Sequence, residues 1–320
     1  MARDDGSVRP LLLVTNAAAG STDATAVGEA LEVLRAAGPV EVVATEDLDD
    51  LRGAVGGRDG RGIVVAGGDG SLHALVGALD SVGALRTPRT PDVEAPLVGL
   101  LPLGTGNDFS RALGVPRDPR GAAEVIVAGH RVPVDVLRDD AGGLVVNVAH
   151  VGVGAEAGER AGPWKARLSR VGLGVLGYAV GAVAALVTSD GWRLSVVADG
   201  EELAGGRRVL QVAVANGRTI GGGAEIAPGA DASDGLADLT VSWATGPLAR
   251  VRYGLAMRRG RHGAREDVVR LRAREVTVRA RRGTFTVNTD GELSDPLRRR
   301  TWRVEPGAYR MFVPAPEGSR

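Results

Sequence analysis

Two glycine-rich turns, each with an aspartate, contain the residues best suited to phosphate chemistry. They are Gly67-Gly68-Asp69-Gly70-Ser71 and Gly104-Thr105-Gly106-Asn107-Asp108, and each follows an apolar run and precedes a helical pattern. Backbone N–H groups at a helix start bind phosphate, and glycine lets the backbone approach closely. An aspartate would repel phosphate unless it holds Mg²⁺. The pair of turns therefore predicts a site for a metal–nucleotide complex.

Lysine is almost absent, which narrows the ways in which this chain can hold phosphate. Of its 39 basic residues only Lys165 is a lysine, and neither turn continues as Gly-Lys-Ser/Thr. A Walker loop and a protein-kinase site both need a lysine on the phosphates. Those two classes are excluded, and backbone groups with a metal ion remain.

The segment Asp290-Gly291-Glu292 is the candidate for proton transfer. It follows the strand-like run GTFTVNT, so its two carboxylates are expected on a turn. Phosphoryl transfer needs a carboxylate that accepts the proton of the attacking hydroxyl. The sequence does not distinguish Asp290 from Glu292 as that acceptor.

The elements that must position these residues change in type along the chain. Residues 11–130 alternate apolar strand-like runs with helical patterns, which indicates a doubly wound parallel sheet whose ligands bind at the carboxyl ends of the strands. Residues 131–299 contain β-rich runs and two helical patterns, 155–187 and 247–260, which favours an antiparallel sandwich. The prediction is a two-domain α/β plus β protein, with domains 1–130 and 131–299.

Charge divides at the same boundary. Residues 1–135 have 12 basic and 19 acidic residues, and the remainder has 27 and 20, so a formal net charge of zero conceals −7 and +7. Within 245–310 there are 17 arginines against 7 acids. This concentration is suited either to an anionic membrane or simply to a solvated face. Nucleic acid is not expected, because few aromatic residues accompany the arginines.

Export and membrane insertion have little support in the sequence. The first residues do not form a basic segment joined to a long apolar run, so no signal peptide is predicted. Cysteine is absent, which excludes disulfides, thiolate nucleophiles and cysteine metal sites but says little about compartment. The uncharged run 171–187 is slightly short for a membrane span and contains four glycines, so a buried or interfacial helix is expected. His130 and His262 are expected in loops or on the surface.

Several motifs together resemble the diacylglycerol kinase catalytic-domain family, which includes bacterial lipid kinases and the sphingosine and ceramide kinases. They are GGDGS, PLGTGNDFSRALG, NGRTIGGGAEIAPGADASDGLADLTV and DGE, in the family's order over residues 11–314. The resemblance implies an ATP-binding α/β domain, a β-sandwich domain, return of residues 300–314 to the first domain, and a lipid hydroxyl as acceptor. It also makes a homodimer an expectation.

The resemblance further implies roles for individual residues. ATP would contact Asn16 to Gly20, Thr45, Gly67 to His73, and Gly104, Thr105, Gly106 and Asn107. Asp69, Asp108 and Asp135 would form the network around a catalytic Mg²⁺. Asp231, Asp234 and the carbonyl of Leu236 would bind a second, structural Mg²⁺.

Some positions depart from the family's pattern. Ala17 stands in place of a proline, and His73 and Ala74 replace an Asn-Glu pair after the first turn. His150 and Gly154 stand where the family has a glycine and an aspartate. His150 is interpreted either as a new group of the acceptor site or as a core histidine.

The sequence hypothesis is an ATP- and Mg²⁺-dependent kinase of diacylglycerol or a similar lipid, cytoplasmic and peripherally associated with anionic membrane. A kinase of a soluble alcohol on the same scaffold and a catalytically weak nucleotide- or lipid-binding homologue are the alternatives.

Overall fold

The computed structural model describes residues 10–17, 21–153, 191–203 and 207–316. Two compact units divide the chain: Met1–Asp135 with Pro306–Arg320, and Val136–Glu305. The predicted helix over 155–187, which includes the run 171–187, Lys165 and Gly154, lies outside the described residues, as does Gly20.

Parallel strands form the centre of the first unit. The strands β1 (Leu11–Asn16), β2 (Val40–Thr45), β3 (Gly62–Gly67) and β4 (Leu97–Pro102) pair in the order β2-β1-β3-β4. Near the end of the chain, Arg310 and Met311 pair in parallel with the start of β4. β3 and β4 are buried along almost their whole length, as strands covered on both faces are.

Helices follow the strands in alternation, as the sequence predicts. They are α1 (Ser21–Ala37), α2 (Leu48–Gly56), α3 (Asp69–Ser81), α4 (Asp108–Ala112) and α5 (Pro119–Ala128). The helix α1 packs against α5, and α2 packs against α3. Leu34 of α1 and Ile126 of α5 share a core with Leu13, Val64 and Leu101 of the sheet.

Antiparallel strands dominate the second unit. They are β5 (Arg131–Asp139), β6 (Leu144–Val145), β7 (Val148–Gly152), β8 (Trp192–Ala198), β9 (Glu201–Glu202), β10 (Arg208–Val209), β11 (Gln211–Ala215), β12 (Thr219–Ile220), β13 (Ala224–Glu225), β14 (Ala237–Ser242), β15 (Val268–Ala273), β16 (Glu275–Ala280), β17 (Val287–Thr289), β18 (Glu292–Leu293) and β19 (Arg299–Phe312), of which β5 begins and β19 ends in the first unit. One sheet has the order β15-β14-β11-β7-β17-β18, and β10, β8, β16 and the first part of β19 form another. Val151 and Leu239 of the first sheet share a core with Val196, Val278 and Trp302 of the second.

These features confirm the predicted fold class, an α/β domain followed by a β-sandwich-like domain. The predicted helix over 247–260 is present as α6 (Pro247–Met257). The prediction for His262 is wrong: it is fully buried, its Nε2 lies 3.0 Å from the carbonyl of Ile226, and its ring meets the edge of Tyr253. Every helix among the described residues is too short or too polar to span a membrane.

Candidate active site

The two predicted glycine turns lie directly against each other in the first unit. The Leu103 N–H donates to the Gly67 carbonyl at 3.0 Å, which continues the β3–β4 pairing into the turns. A Cβ added to Gly104 would stand 2.6 Å from the Cα of Gly68, and one added to Gly68 would stand 3.0 Å from the Cα of Gly104. A side chain at either position would push the two backbones apart. Glycine is therefore required here by the approach of one turn to the other.

Asp69 joins the two turns through its side chain. Its Oδ2 accepts the backbone N–H of Asp108 at 2.9 Å, and its Oδ1 accepts that of Phe109 at 3.0 Å. These are the first N–H groups of α4, which have no partner inside the helix. Asp69 is thus the first residue of α3, and its carboxylate also caps the start of α4. We call this arrangement the Asp69 clasp.

Asn107 completes the second turn in a strained conformation. Its φ of +49° is left-handed, and its Nδ2 donates to the Gly104 carbonyl at 2.6 Å. The side chain is buried, and its Oδ1 accepts no hydrogen bond from the described residues. A buried acceptor without a donor costs about 1–3 kcal/mol. A water molecule on a bound cation would supply the missing donor.

The residues at the clasp fit a magnesium ion brought in with a nucleotide. Asp69 and Asp108 supply carboxylates, and Asn107 supplies the orphaned amide oxygen. No group of three or more acidic or histidine ligands occurs in the described part of the chain. Magnesium typically takes one or two carboxylates and completes its shell with water and phosphate oxygens. The donor set therefore fits an ion shared with phosphate better than one held by protein alone.

A cavity of about 260 Å³ opens at the carboxyl ends of β1, β2 and β3. Three residues predicted to contact ATP line it together: Asn16, Thr45 and Ser71. Thr45 is held there by a hydrogen bond of 3.3 Å from its Oγ1 to the Thr15 carbonyl. Ala74 lines the same cavity, so the place of the family's glutamate is occupied by a methyl group.

Of the other predicted ATP contacts that the structure describes, most lie on the two glycine turns. Gly70 and Thr105 are exposed, and a Cβ on Gly70 would meet nothing within 4 Å. His73 is half-buried on α3. Gly70 is in the first turn of α3, and its open backbone is a surface on which a phosphate group can bind.

Asp135 has a different setting from Asp69 and Asp108. It is buried on β5, and its Oδ1 accepts the backbone N–H of Gly307 on β19 at 2.8 Å. This bond fixes two strands to each other. A part for Asp135 in the magnesium network stays a prediction.

An arginine side chain, Arg272, lies within the predicted structural magnesium site. Asp234 forms an ion pair of 2.8 Å with Arg272, and its other oxygen accepts the Leu236 N–H at 3.0 Å. Asp231 accepts the N–H and the hydroxyl of Ser233. The single positive charge of Arg272 neutralises one of the two carboxylates, so these residues do not by themselves indicate a cation. The second magnesium site stays a prediction.

In the second unit, Asp290 and Gly291 form the two-residue turn between β17 and β18. Their φ values are +50° and +101°, as a type I′ hairpin turn requires. The Asp290 carboxylate accepts three backbone N–H groups, from Val146 at 2.7 Å, Asn147 at 3.0 Å and Val148 at 2.8 Å. The turn is thereby held against the 146–148 segment, a partner that the sequence analysis did not identify.

The carboxylate of Glu292 is more accessible than that of Asp290. It is exposed at the start of β18, and its carboxylate makes no hydrogen bond or ion pair with the described residues. Its main chain pairs with Thr289 across the hairpin, so its position is fixed while its carboxylate remains accessible. Of the two predicted candidates, Glu292 is the one whose oxygens are open to a substrate hydroxyl.

His150 is buried on β7, opposite Asn288 of β17. Burial lowers the pKa of the imidazole to about 4, although the nearby Asp290 carboxylate acts in the opposite direction. Its Nδ1 has no partner among the described residues. The ring is therefore neutral at physiological pH.

We expect His150 to make the protein acid-sensitive. Its pKa is about 4 when folded and near 6.5 when unfolded, so stability is fully present above about pH 6.5 and falls until about pH 4. Between pH 7 and pH 5 the loss from this residue is about 2 kcal/mol. Urea unfolding at both pH values checks this, with His150→Gln losing about that much less than the wild type. His130→Gln, a loop histidine, is the control; a His150→Gln variant with wild-type pH dependence would contradict the expectation.

Comparisons with known proteins find relatives over most of the chain. Residues 10–138 match the model of the diacylglycerol kinase catalytic domain, and residues 147–313 match that of the YegS C-terminal NAD kinase beta sandwich-like domain. A "Probable lipid kinase YegS-like" from Pseudomonas fluorescens is 33% identical over 90% of each chain, and one from Xanthomonas campestris is 32% identical over 92% of this chain and 93% of its own. A solved diacylglycerol kinase from Bacillus anthracis has the same fold, with a TM-score of 0.70 and 21% identity over 96% of this chain and 97% of its own.

Proposed function

The chain belongs to the diacylglycerol kinase family of lipid kinases, phosphotransferases with an alcohol acceptor, and we propose that it transfers the γ-phosphoryl group of Mg–ATP to a hydroxyl of diacylglycerol or a similar lipid. The observation that carries this proposal is the Asp69 clasp. It joins the two glycine turns and their two carboxylates at the edge of the first unit's sheet, where a cavity is lined by Asn16, Thr45 and Ser71.

In this proposal the nucleotide binds in the first unit. The cavity takes part of the nucleoside, and the open backbone at Gly70 and Thr105 binds phosphate oxygens through N–H groups. Asp69, Asp108 and the Asn107 amide oxygen hold the magnesium ion, directly or through its water. When bound, the ion neutralises charge on the phosphates and orients them for transfer.

The acceptor hydroxyl loses its proton to Glu292. The lipid oxygen forms a bond to the γ-phosphorus, the bond from that phosphorus to the β–γ bridging oxygen breaks, and ADP leaves with the electron pair. The proton passes to the Glu292 carboxylate, which the described residues leave accessible. Asp290 is a positioning residue, because its oxygens are engaged by the N–H groups of residues 146–148.

A transfer assay tests the proposal directly. Radiolabelled ATP, Mg²⁺ and vesicles containing diacylglycerol are expected to give labelled phosphatidic acid, and Glu292→Gln is the matched control for background transfer. A panel of other lipid alcohols defines the acceptor. Label on a soluble alcohol alone, or ATP binding without transfer to any lipid, would overturn the proposal. The latter result would agree with Ala74 in the nucleotide cavity.

A further inference from the structure

The helix α6 presents a row of apolar side chains to solvent. Leu248, Val251 and Leu255 are 62%, 48% and 56% exposed. Their spacing of three and four residues places them on one face of the helix. Isolated exposed apolar residues are common, but a contiguous row marks an interaction surface. We call these three residues the α6 stripe.

The opposite face of α6 is anchored, which fixes the direction of the stripe. Tyr253 is fully buried, and its hydroxyl lies 3.3 Å from the Gln211 side-chain oxygen. Ala249 and Met257 pack against a cluster that contains Tyr253 and Val268. The stripe is therefore the outer face of a helix that is already packed.

Arginines without partners surround the stripe. Arg252, Arg258, Arg259 and Arg261 are exposed, and none forms an ion pair with a described carboxylate. Residues 246–265 contain six arginines and no acid, although the Glu225 carboxylate lies beside Gly260. By contrast, the arginines that follow in the chain, Arg265, Arg270 and Arg272, all have acidic partners.

We infer that α6 docks on the surface of a bilayer that contains anionic phospholipid. The stripe enters the boundary between headgroups and acyl chains, and the surrounding arginines bind lipid phosphates, as interfacial amphipathic helices do. The positive charge of these exposed arginines favours an anionic partner, and the stripe has no aromatic residue on which a base would stack. The inference deepens the proposed function and rests on it for the choice of a lipid surface, since that substrate resides in a bilayer.

Vesicle sedimentation without ATP tests the docking alone. Wild-type protein is expected to bind vesicles of phosphatidylcholine with phosphatidylglycerol at least about tenfold more tightly than phosphatidylcholine alone, with the difference shrinking as salt rises. The variant Leu248→Ser/Val251→Ser/Leu255→Ser is expected to lose about tenfold or more in binding to the anionic vesicles. The variant Arg252→Gln/Arg258→Gln/Arg259→Gln is expected to lose the preference for anionic lipid.

Matched control variants replace exposed apolar or arginine side chains at positions outside α6. Val42→Ser/Val82→Ser changes two other exposed valines, and Arg274→Gln/Arg279→Gln/Arg282→Gln removes three other exposed arginines. Both controls are expected to bind vesicles as the wild type does. Thermal unfolding of all variants establishes that they are folded. Loss of binding in the controls equal to that of the α6 variants would overturn the inference.

The remaining outcomes separate docking from catalysis. A stripe variant that binds vesicles normally overturns the inference, and if it also changes the oligomeric state, the face belongs to a second copy of the chain. A wild type that binds vesicles but phosphorylates no lipid keeps the docking and rejects the proposed function. If the wild type phosphorylates dispersed short-chain diacylglycerol but does not bind vesicles, the proposed function is kept and the docking of α6 is rejected.

Discussion

The Glu292→Gln variant is expected to retain its fold and its affinity for ATP while its phosphoryl transfer falls by about 10²–10⁴-fold, the usual contribution of a positioned general base. The side chain is exposed and makes no hydrogen bond or ion pair with the described residues, so its replacement should change the stability of the fold little. Glutamine keeps the shape but cannot take the proton. Single-turnover transfer of radiolabel measures the loss, and thermal unfolding measures stability.

The variant Asp290→Asn tests whether Asp290 or Glu292 accepts the proton. An amide replaces one of the two oxygens that accept the N–H groups of Val146, Asn147 and Val148, so at least one donor meets another donor. A hydrogen bond to a charged group contributes about 1.5–3 kcal/mol, and we expect a loss of stability of that size together with a loss of activity. A stable but inactive Asp290→Asn beside an active Glu292→Gln would instead make Asp290 the proton acceptor.

Local sequence was sufficient to predict the first unit. Each of its strands is a short apolar run that ends in a polar or glycine-containing turn, and parallel strands joined by helices place all those turns at one edge. The contact of Gly68 with Gly104 follows from that topology. The glycines of both turns were visible in the sequence, whereas the capping of α4 by Asp69 depends on the exact approach of the two turns.

The strand β15 is difficult to identify from its sequence, in which arginines alternate with apolar residues. In VVRLRA, Leu271 and Ala273 enter the core, while Arg270 and Arg272 alternate with them and meet Asp238 and Asp234. Burial raises the pKa of the Asp238 carboxyl, which Arg270 opposes. The acids come from more than 30 residues earlier in the chain, so the pairing was not readable from the arginines. By contrast, Arg252, Arg258, Arg259 and Arg261, on and just after α6, form no ion pair with a described carboxylate.

The different environments of the Asp290 and Glu292 carboxylates could not be predicted from the sequence either. Both carboxylates lie in one tripeptide, and residue type alone does not separate them. The difference arises from the 146–148 segment, which approaches Asp290 from more than 140 residues away. Asn216 contributes to the same arrangement, since its Nδ2 donates to the Val146 carbonyl at 2.9 Å. Contacts of this range follow from the register of the sheet and have no local signature.

Asp69→Asn is expected to reduce phosphoryl transfer on the order of 10³-fold, because it changes the clasp and the charge at the magnesium ligands together. The amide turns a donor toward the N–H of Asp108 or Phe109, which should cost about 1–3 kcal/mol of stability. It also weakens the attraction for the ion, so the Mg²⁺ concentration needed for half-maximal ATP binding should rise.

A second capping aspartate in the same unit supplies the control for Asp69→Asn. Asp118 caps α5 by accepting the Gly121 N–H at 2.6 Å, and it lies outside both glycine turns, ten residues after Asp108. Asp118→Ala should cost about 0.5–2 kcal/mol, as the loss of a helix cap does, and leave transfer and its Mg²⁺ dependence unchanged. Titration of ATP binding with Mg²⁺, beside urea unfolding, separates the two effects. If Asp69→Asn lost stability but kept wild-type transfer and Mg²⁺ dependence, Asp69 would be a cap and nothing more, and the metal would have to be held elsewhere.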